Sequence, residues 1–136
     1  MSGSTREGRA ARDERFAFKK LEVYRAAVGY YGWVLGVVDE AEKVDLPLAD
    51  QARRQAQSIV HNTAEGAGHW QPGNKRKYYG IARASTFEAA AALDLLRVRG
   101  FITAEEFDER EQELAAIGAS LTRLCQRYDS PSRTRR

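Results

Sequence analysis

Gln51-Ala52-Arg53-Arg54-Gln55-Ala56-Gln57-Ser58-Ile59-Val60-His61-Asn62-Thr63-Ala64-Glu65-Gly66, followed after a Gly/Pro loop by Lys77-Tyr78-Tyr79-Gly80-Ile81-Ala82-Arg83-Ala84-Ser85-Thr86-Phe87-Glu88, decides the fold. Gln51, Gln55, Ser58, Asn62 and Glu65 recur at spacings of four and three, so they stack along one stripe of a helix. Beside it runs an apolar stripe, Ala52, Ala56, Ile59 and Thr63. On the next helix Ser85 and Glu88 fall within the seam Tyr78, Ile81, Ser85, Glu88, Ala92, Leu95. Two neighbouring helices bring short polar groups to a border that leucine would fill in an ordinary bundle. Ser58, Asn62, Glu65, Ser85 and Glu88 are therefore expected to form a structural polar network that fixes helix register.

Working upstream, Asp45-Leu46-Pro47 breaks the chain, which places this helix from Leu48 to about Ala64, with Gly66 and Gly68 ending it. A first helix is expected from about Phe18 to Glu42. Leu21, Tyr24, Val28, Tyr31, Leu35 and Val38 form its bundle seam. A second series, Val23, Ala27, Tyr30, Val34 and Val37, points about 200° away and is expected to form an oligomer interface. Gly29, Gly32 and Gly36 suit the approach of another backbone there.

Downstream, Gln71-Pro72-Gly73-Asn74 reads as a turn, and a third helix runs from about Lys75 to Arg99, apolar over most of its circumference. Gly100 stops it. Thr103 and Glu106 make a capping box for a fourth helix, whose single seam is Phe107, Leu114, Ile117, Leu121, Leu124 and Tyr128. Strand alternation and 20–50-residue repeats are absent from the sequence. The pattern predicts an all-α, antiparallel up-down-up-down four-helix bundle over residues 16–128. Residues 1–15 read as a flexible N-terminal tail and 129–136 as a basic C-terminal tail.

Ser58-Ile59, Asn62, Ala64-Glu65-Gly66 and then Ala82, Ser85 and Glu88 resemble one known family, the bacterial four-helix-bundle proteins of 23S ribosomal RNA intervening sequences. The resemblance extends over residues 16–128. It implies a small homo-oligomer, usually a ring of five protomers, with no established catalytic activity. By likeness to the accessory proteins of diversity-generating retroelements, it also implies RNA or DNA and a reverse transcriptase as partners. The family often has glycine where Ala84 stands and arginine near His69.

Composition narrows the classes. At 136 residues with 43% hydrophobic content the chain is one globular domain. No apolar run nears the roughly 20 residues that span a bilayer, and the N-terminus does not read as a secretory signal. A single cysteine, Cys125, permits no internal disulfide and is expected to be a small core residue; the cytoplasm is the expected compartment. No nucleophile–base pair is legible, so no catalytic residues are assigned. His61, Glu65 and His69 recur every four residues, but a helix broken at Gly66 and Gly68 would separate them, so neither metal nor cofactor is expected.

The net charge of +3 is segregated. Arg53, Arg54, Lys75, Arg76, Lys77 and Arg83 stand against one acid between residues 51 and 83, whereas six acids and Arg110 occupy 103–113. The six cations are the candidate nucleic-acid-binding set, with Trp70, Tyr78 and Tyr79 near enough in sequence to stack on bases. The same charges suit a protein-interaction scaffold in which they pair with the acidic helix start of the next subunit. The sequence leaves both open.

Overall fold

The computed structural model describes residues 15–129, so the tails expected at 1–15 and 129–136 lie outside it apart from Arg15 and Asp129. Four α-helices and no strand occupy the described residues: α1 (Glu22–Ala41), α2 (Leu46–Gly68), α3 (Pro72–Val98) and α4 (Ala104–Arg127). A short 3-10 turn, Ala17–Lys20, precedes α1, with Phe18 edge-on to Tyr24 at 4.9 Å. The connections, residues 42–45, 69–71 and 99–103, are short.

Each boundary follows from local chemistry. Asp45 caps α2, its Oδ1 accepting the Leu48 N–H at 3.2 Å. Pro47 lies inside the first turn, where its missing N–H removes no helical bond. Gln71 is likewise the N-cap of α3, so Pro72-Gly73-Asn74, expected as a turn, is the first turn of that helix. Gly100, at φ 80, closes α3: its N–H reaches the Arg97 carbonyl, and the Phe101 N–H reaches that of Leu96. Thr103 and Glu106 form the expected capping box of α4.

Gly66 does not end α2; the helix runs through it and finishes at Gly68, the second of the two glycines expected to end it. Gly66 is buried because a Cβ there would lie 2.7 Å from the Tyr79 ring. Glycine at this point lets α3 approach, a role in packing and not in termination.

The packing between α2 and α3 is the most extensive in the molecule, α3 also packs along α4, and the α1–α4 contact is the thinnest. Small residues are buried on both α2 and α3, Ala49, Ala52 and Ala56 on the first and Ala82, Ala89 and Ala92 on the second, with the larger Ile59 fully buried among them. Thr63 and Thr86 are buried as well, Thr86 on the side of α3 towards Gly118 of α4, and each hydroxyl donates to the carbonyl one turn back, Ile59 at 2.7 Å and Ala82 at 2.8 Å. The buried face of α3 is Tyr79, Ala82, Ser85, Thr86, Ala89, Ala92, Leu93 and Leu96. That lies one position beyond the expected seam at several points, and Ile81, Glu88 and Leu95 are exposed. The α4 seam is as expected, with Leu114, Ile117 and Leu121 buried and Phe107, Leu124 and Tyr128 partly so.

The two apolar series of α1 exchange roles in part: Val38 of the expected seam is fully buried and Leu21, Tyr24 and Tyr31 are half-buried. Val23, Ala27, Tyr30 and Val34, expected at an oligomer interface, are the protomer's own core, with Val37 half-buried; Val28 and Leu35, expected in the seam, are exposed. The physical reason is volume. Gly29, Gly32 and Gly36 share the outer side with Val28 and Leu35, and that side cannot fill a core. An added Cβ at any of the three glycines meets nothing within 4 Å. The thin α1–α4 contact closes around Tyr30 and Trp33: the Arg110 guanidinium lies 5.1 Å over the Trp33 ring and pairs with Glu113.

Candidate functional site

At the α2–α3 border the polar residues separate into two groups. Ser58 and Ser85 meet Oγ to Oγ at 2.6 Å. Asn62 donates its Nδ2 to both the carbonyl and the Oγ of Ser58, each at 3.0 Å. Ser58 and Ser85 cross-link the helices, and Asn62 buttresses Ser58 from one turn further along α2. Glu65 and Glu88 do not join them. Both are exposed, Glu65 contacting only His69 (3.1 Å to Nε2) and Glu88 having no hydrogen-bond partner among the described residues. A carboxylate at the border itself would lose hydration that two serines and one asparagine cannot replace.

Because α2 continues past Gly66, His61, Glu65 and His69 line one shallow groove with Tyr24, of ≈ 590 Å³. The His69 ring stacks on Tyr78 at 4.8 Å, holding it against α3. Among the described residues no three His, Cys, Asp or Glu side chains converge on a point where a metal could sit.

The six candidate nucleic-acid-binding cations do not form one patch. Arg53 pairs with Asp50 at 2.7 Å and Glu42 at 3.0 Å, close to the α1–α2 connection. Lys75, Arg76 and Lys77 lie at the opposite end of α2, in the first turns of α3. Lys75 is spent on structure: its Nζ donates to the last-turn carbonyls Gly66 and Ala67, at 3.3 and 2.9 Å, where cations stabilise a helix end. Arg76 pairs with Asp129, and Arg83 donates its Nε to Thr122 at 2.7 Å. Lys77 lies 5.4 Å over the Tyr78 ring. Arg54 and Lys77 alone of the six lack an oxygen partner among the described residues.

Tyr79, named beside this set as a stacking residue, is only 3% exposed and packs in the core against Gly66. Its hydroxyl is pushed up to about 12, chiefly by burial, with Tyr128 adding and Arg127 opposing. Trp70 is the reverse, 94% exposed between α2 and α3. The aromatic before Pro72 in a loop was the signal for it. Asp129 and Thr122, which hold Arg76 and Arg83, had no such signal, because they lie 53 and 39 residues away in sequence.

A family model described as 23S rRNA-intervening sequence protein matches residues 19–123. Among solved structures, a protein of unknown function from the S23 ribosomal protein family of Bacteroides thetaiotaomicron is similar, with a TM-score of 0.71 at 18% identity, over 76% of this chain and 95% of that one. At that identity the likeness speaks for the fold alone. No curated protein matches.

Proposed function

The chain belongs to the 23S rRNA-intervening sequence protein family, and from that premise we propose that it acts by binding and not by catalysis, as a self-associating adaptor in the cytoplasm. The unit is an antiparallel up-down-up-down bundle, and the assembly is a ring of five. One observation carries the reading: the outer side of α1, where Gly29, Gly32 and Gly36 form a shallow strip flanked by Val28 and Leu35, 43% and 37% exposed. Three interior glycines cost a helix about 1 kcal/mol each relative to alanine, which a close backbone partner would offset. No helix among the described residues is long and apolar enough to cross a membrane, so that strip does not face lipid as part of a span.

The test is the mass of the full chain in solution by light scattering, beside Gly32→Arg. We expect a multimer near five times 15.3 kDa, reduced to monomer by Gly32→Arg with helicity retained. A wild-type protein that runs as a monomer at all concentrations refutes the reading.

Nucleic-acid binding is a second reading, favoured by Arg54 and Lys77, which lack oxygen partners among the described residues, and by the exposed Trp70. In a ring each weak patch is repeated, which raises avidity without new contacts. Binding of this kind weakens linearly with the logarithm of salt concentration.

A further inference from the structure

Arg76, Gly80 and Arg83 follow one another at spacings of four and three along α3 and so share one face. With the end of α4 they enclose a notch of ≈ 270 Å³. Gly80 keeps it open, since a Cβ there would meet nothing within 4 Å. Arg83 is held in place on two sides. Its Nε donates to Thr122 Oγ1, which in turn donates to the Gly118 carbonyl at 2.9 Å, and its guanidinium lies 4.5 Å from the Phe87 ring centroid. Both Nη groups of Arg83 are left without a hydrogen-bond partner among the described residues. Across the notch, Arg76 is paired with the carboxylate of Asp129. Burial pushes the nearby Cys125 thiol up, while Arg76 and Arg83 both pull it the other way, so the two charges act on one small volume.

We infer that this notch binds a phosphate monoester, with Asp129 as a built-in carboxylate that the ligand displaces from Arg76. Two guanidiniums present planar forks of donors that match phosphate oxygens, and a monoester carries about −1.5 to −2 charges against their +2. The half-open notch has room for a phosphate with one sugar-sized substituent. A free sugar phosphate and the 5′-terminal phosphate of a nucleic-acid strand share this chemistry. The notch does not depend on self-association, so the two readings fail separately.

The experiment is calorimetric titration of the full chain, at constant ionic strength, with inorganic phosphate, ribose 5-phosphate, ribose, and a short oligonucleotide bearing either a 5′-phosphate or a 5′-hydroxyl. Phosphate-bearing probes are expected to bind saturably, and ribose and the 5′-hydroxyl strand not to. Arg83→Gln should weaken binding roughly 10- to 100-fold, the loss of charge-assisted hydrogen bonds. Asp129→Asn should tighten it several-fold. Gly80→Leu fills the notch from a position with room for the side chain, and should abolish binding while thermal stability is kept. A preference for ribose 5-phosphate over the strand, or the reverse, identifies the source and supports the notch either way. Unchanged affinity in Gly80→Leu, equal binding of the 5′-hydroxyl strand, or weaker binding by Asp129→Asn would overturn it.

Discussion

Gly66 and Gly80 are both helix-interior glycines, and their surroundings give opposite expectations for the same substitution. At Gly80 the added methyl enters open space, so Gly80→Ala should stabilise the fold by up to about 1 kcal/mol through helix propensity alone. At Gly66 the methyl would lie 2.7 Å from a Tyr79 ring that is itself enclosed, so the overpacking cost of about 1–3 kcal/mol exceeds that gain. Thermal midpoints of the two variants should move in opposite directions. The sequence could not separate them: what distinguishes these glycines is the neighbouring helix. The same holds for the polar border. Ser58, Asn62 and Ser85 were legible as a cross-helix group because they are short and share a stripe. Glu65 and Glu88 share that rhythm, but burying a carboxylate needs more donors than the border offers. Truncating Glu65 therefore removes only an exposed contact with His69.

At the level of the helix, termini were legible wherever a side chain makes them and obscure wherever packing does. Thr103 and Glu106 are a reciprocal cap that the sequence announces. Thr103→Ala should cost about 1 kcal/mol. The Thr103 backbone N–H is the main cause holding the Glu106 carboxyl below its ordinary range. Its contribution is present above the ordinary carboxylate range and is lost as pH falls through that range. Acid titrations of stability should accordingly be shallower in Glu106→Gln, which removes the carboxyl itself, than in the wild type. By contrast, Pro47, Gly66 and Pro72 each looked like a break and each lies inside a helix, whereas α2 does end at Gly68. Proline is harmless in a first turn, and a glycine is tolerated where a partner comes close, so neither residue alone fixes an end. The two rival faces of α1 were visible as periodicities. Choosing between them required weighing the volume each could bury, and three glycines decided it.

For the molecule as a whole, four helices with short connections followed from periodicity and from the absence of strand patterns. The candidate site was far less legible. The basic residues were found, but their carboxylate, hydroxyl and carbonyl partners come from other elements, and those partners divide one apparent patch into several structural roles. The core also carries a charge-dependent liability. Burial raises the Tyr30 hydroxyl strongly, with Glu113 adding and Arg110 opposing, and raises Tyr79 to about 12. An unfolded tyrosine ionises near pH 10, whereas the folded protein keeps these protons. Stability is thus complete below about pH 10 and falls as pH rises towards 12, by roughly 2–3 kcal/mol for Tyr79. Thermal midpoints between pH 8 and 12 should show the decline, and Tyr79→Phe should reduce it.

The near-complete exposure of Trp70 has an optical consequence. The chain has two tryptophans, and the other, Trp33, is half-buried beneath Arg110 at the α1–α4 contact. Their indoles sit in surroundings of unlike polarity, so their emission differs in colour and in access to quenchers. Anything that covers the loop between α2 and α3 shifts the red component, and loosening of α1 from α4 shifts the blue one. The protein thus carries two native fluorophores that report separately on its surface and its closure, without a label.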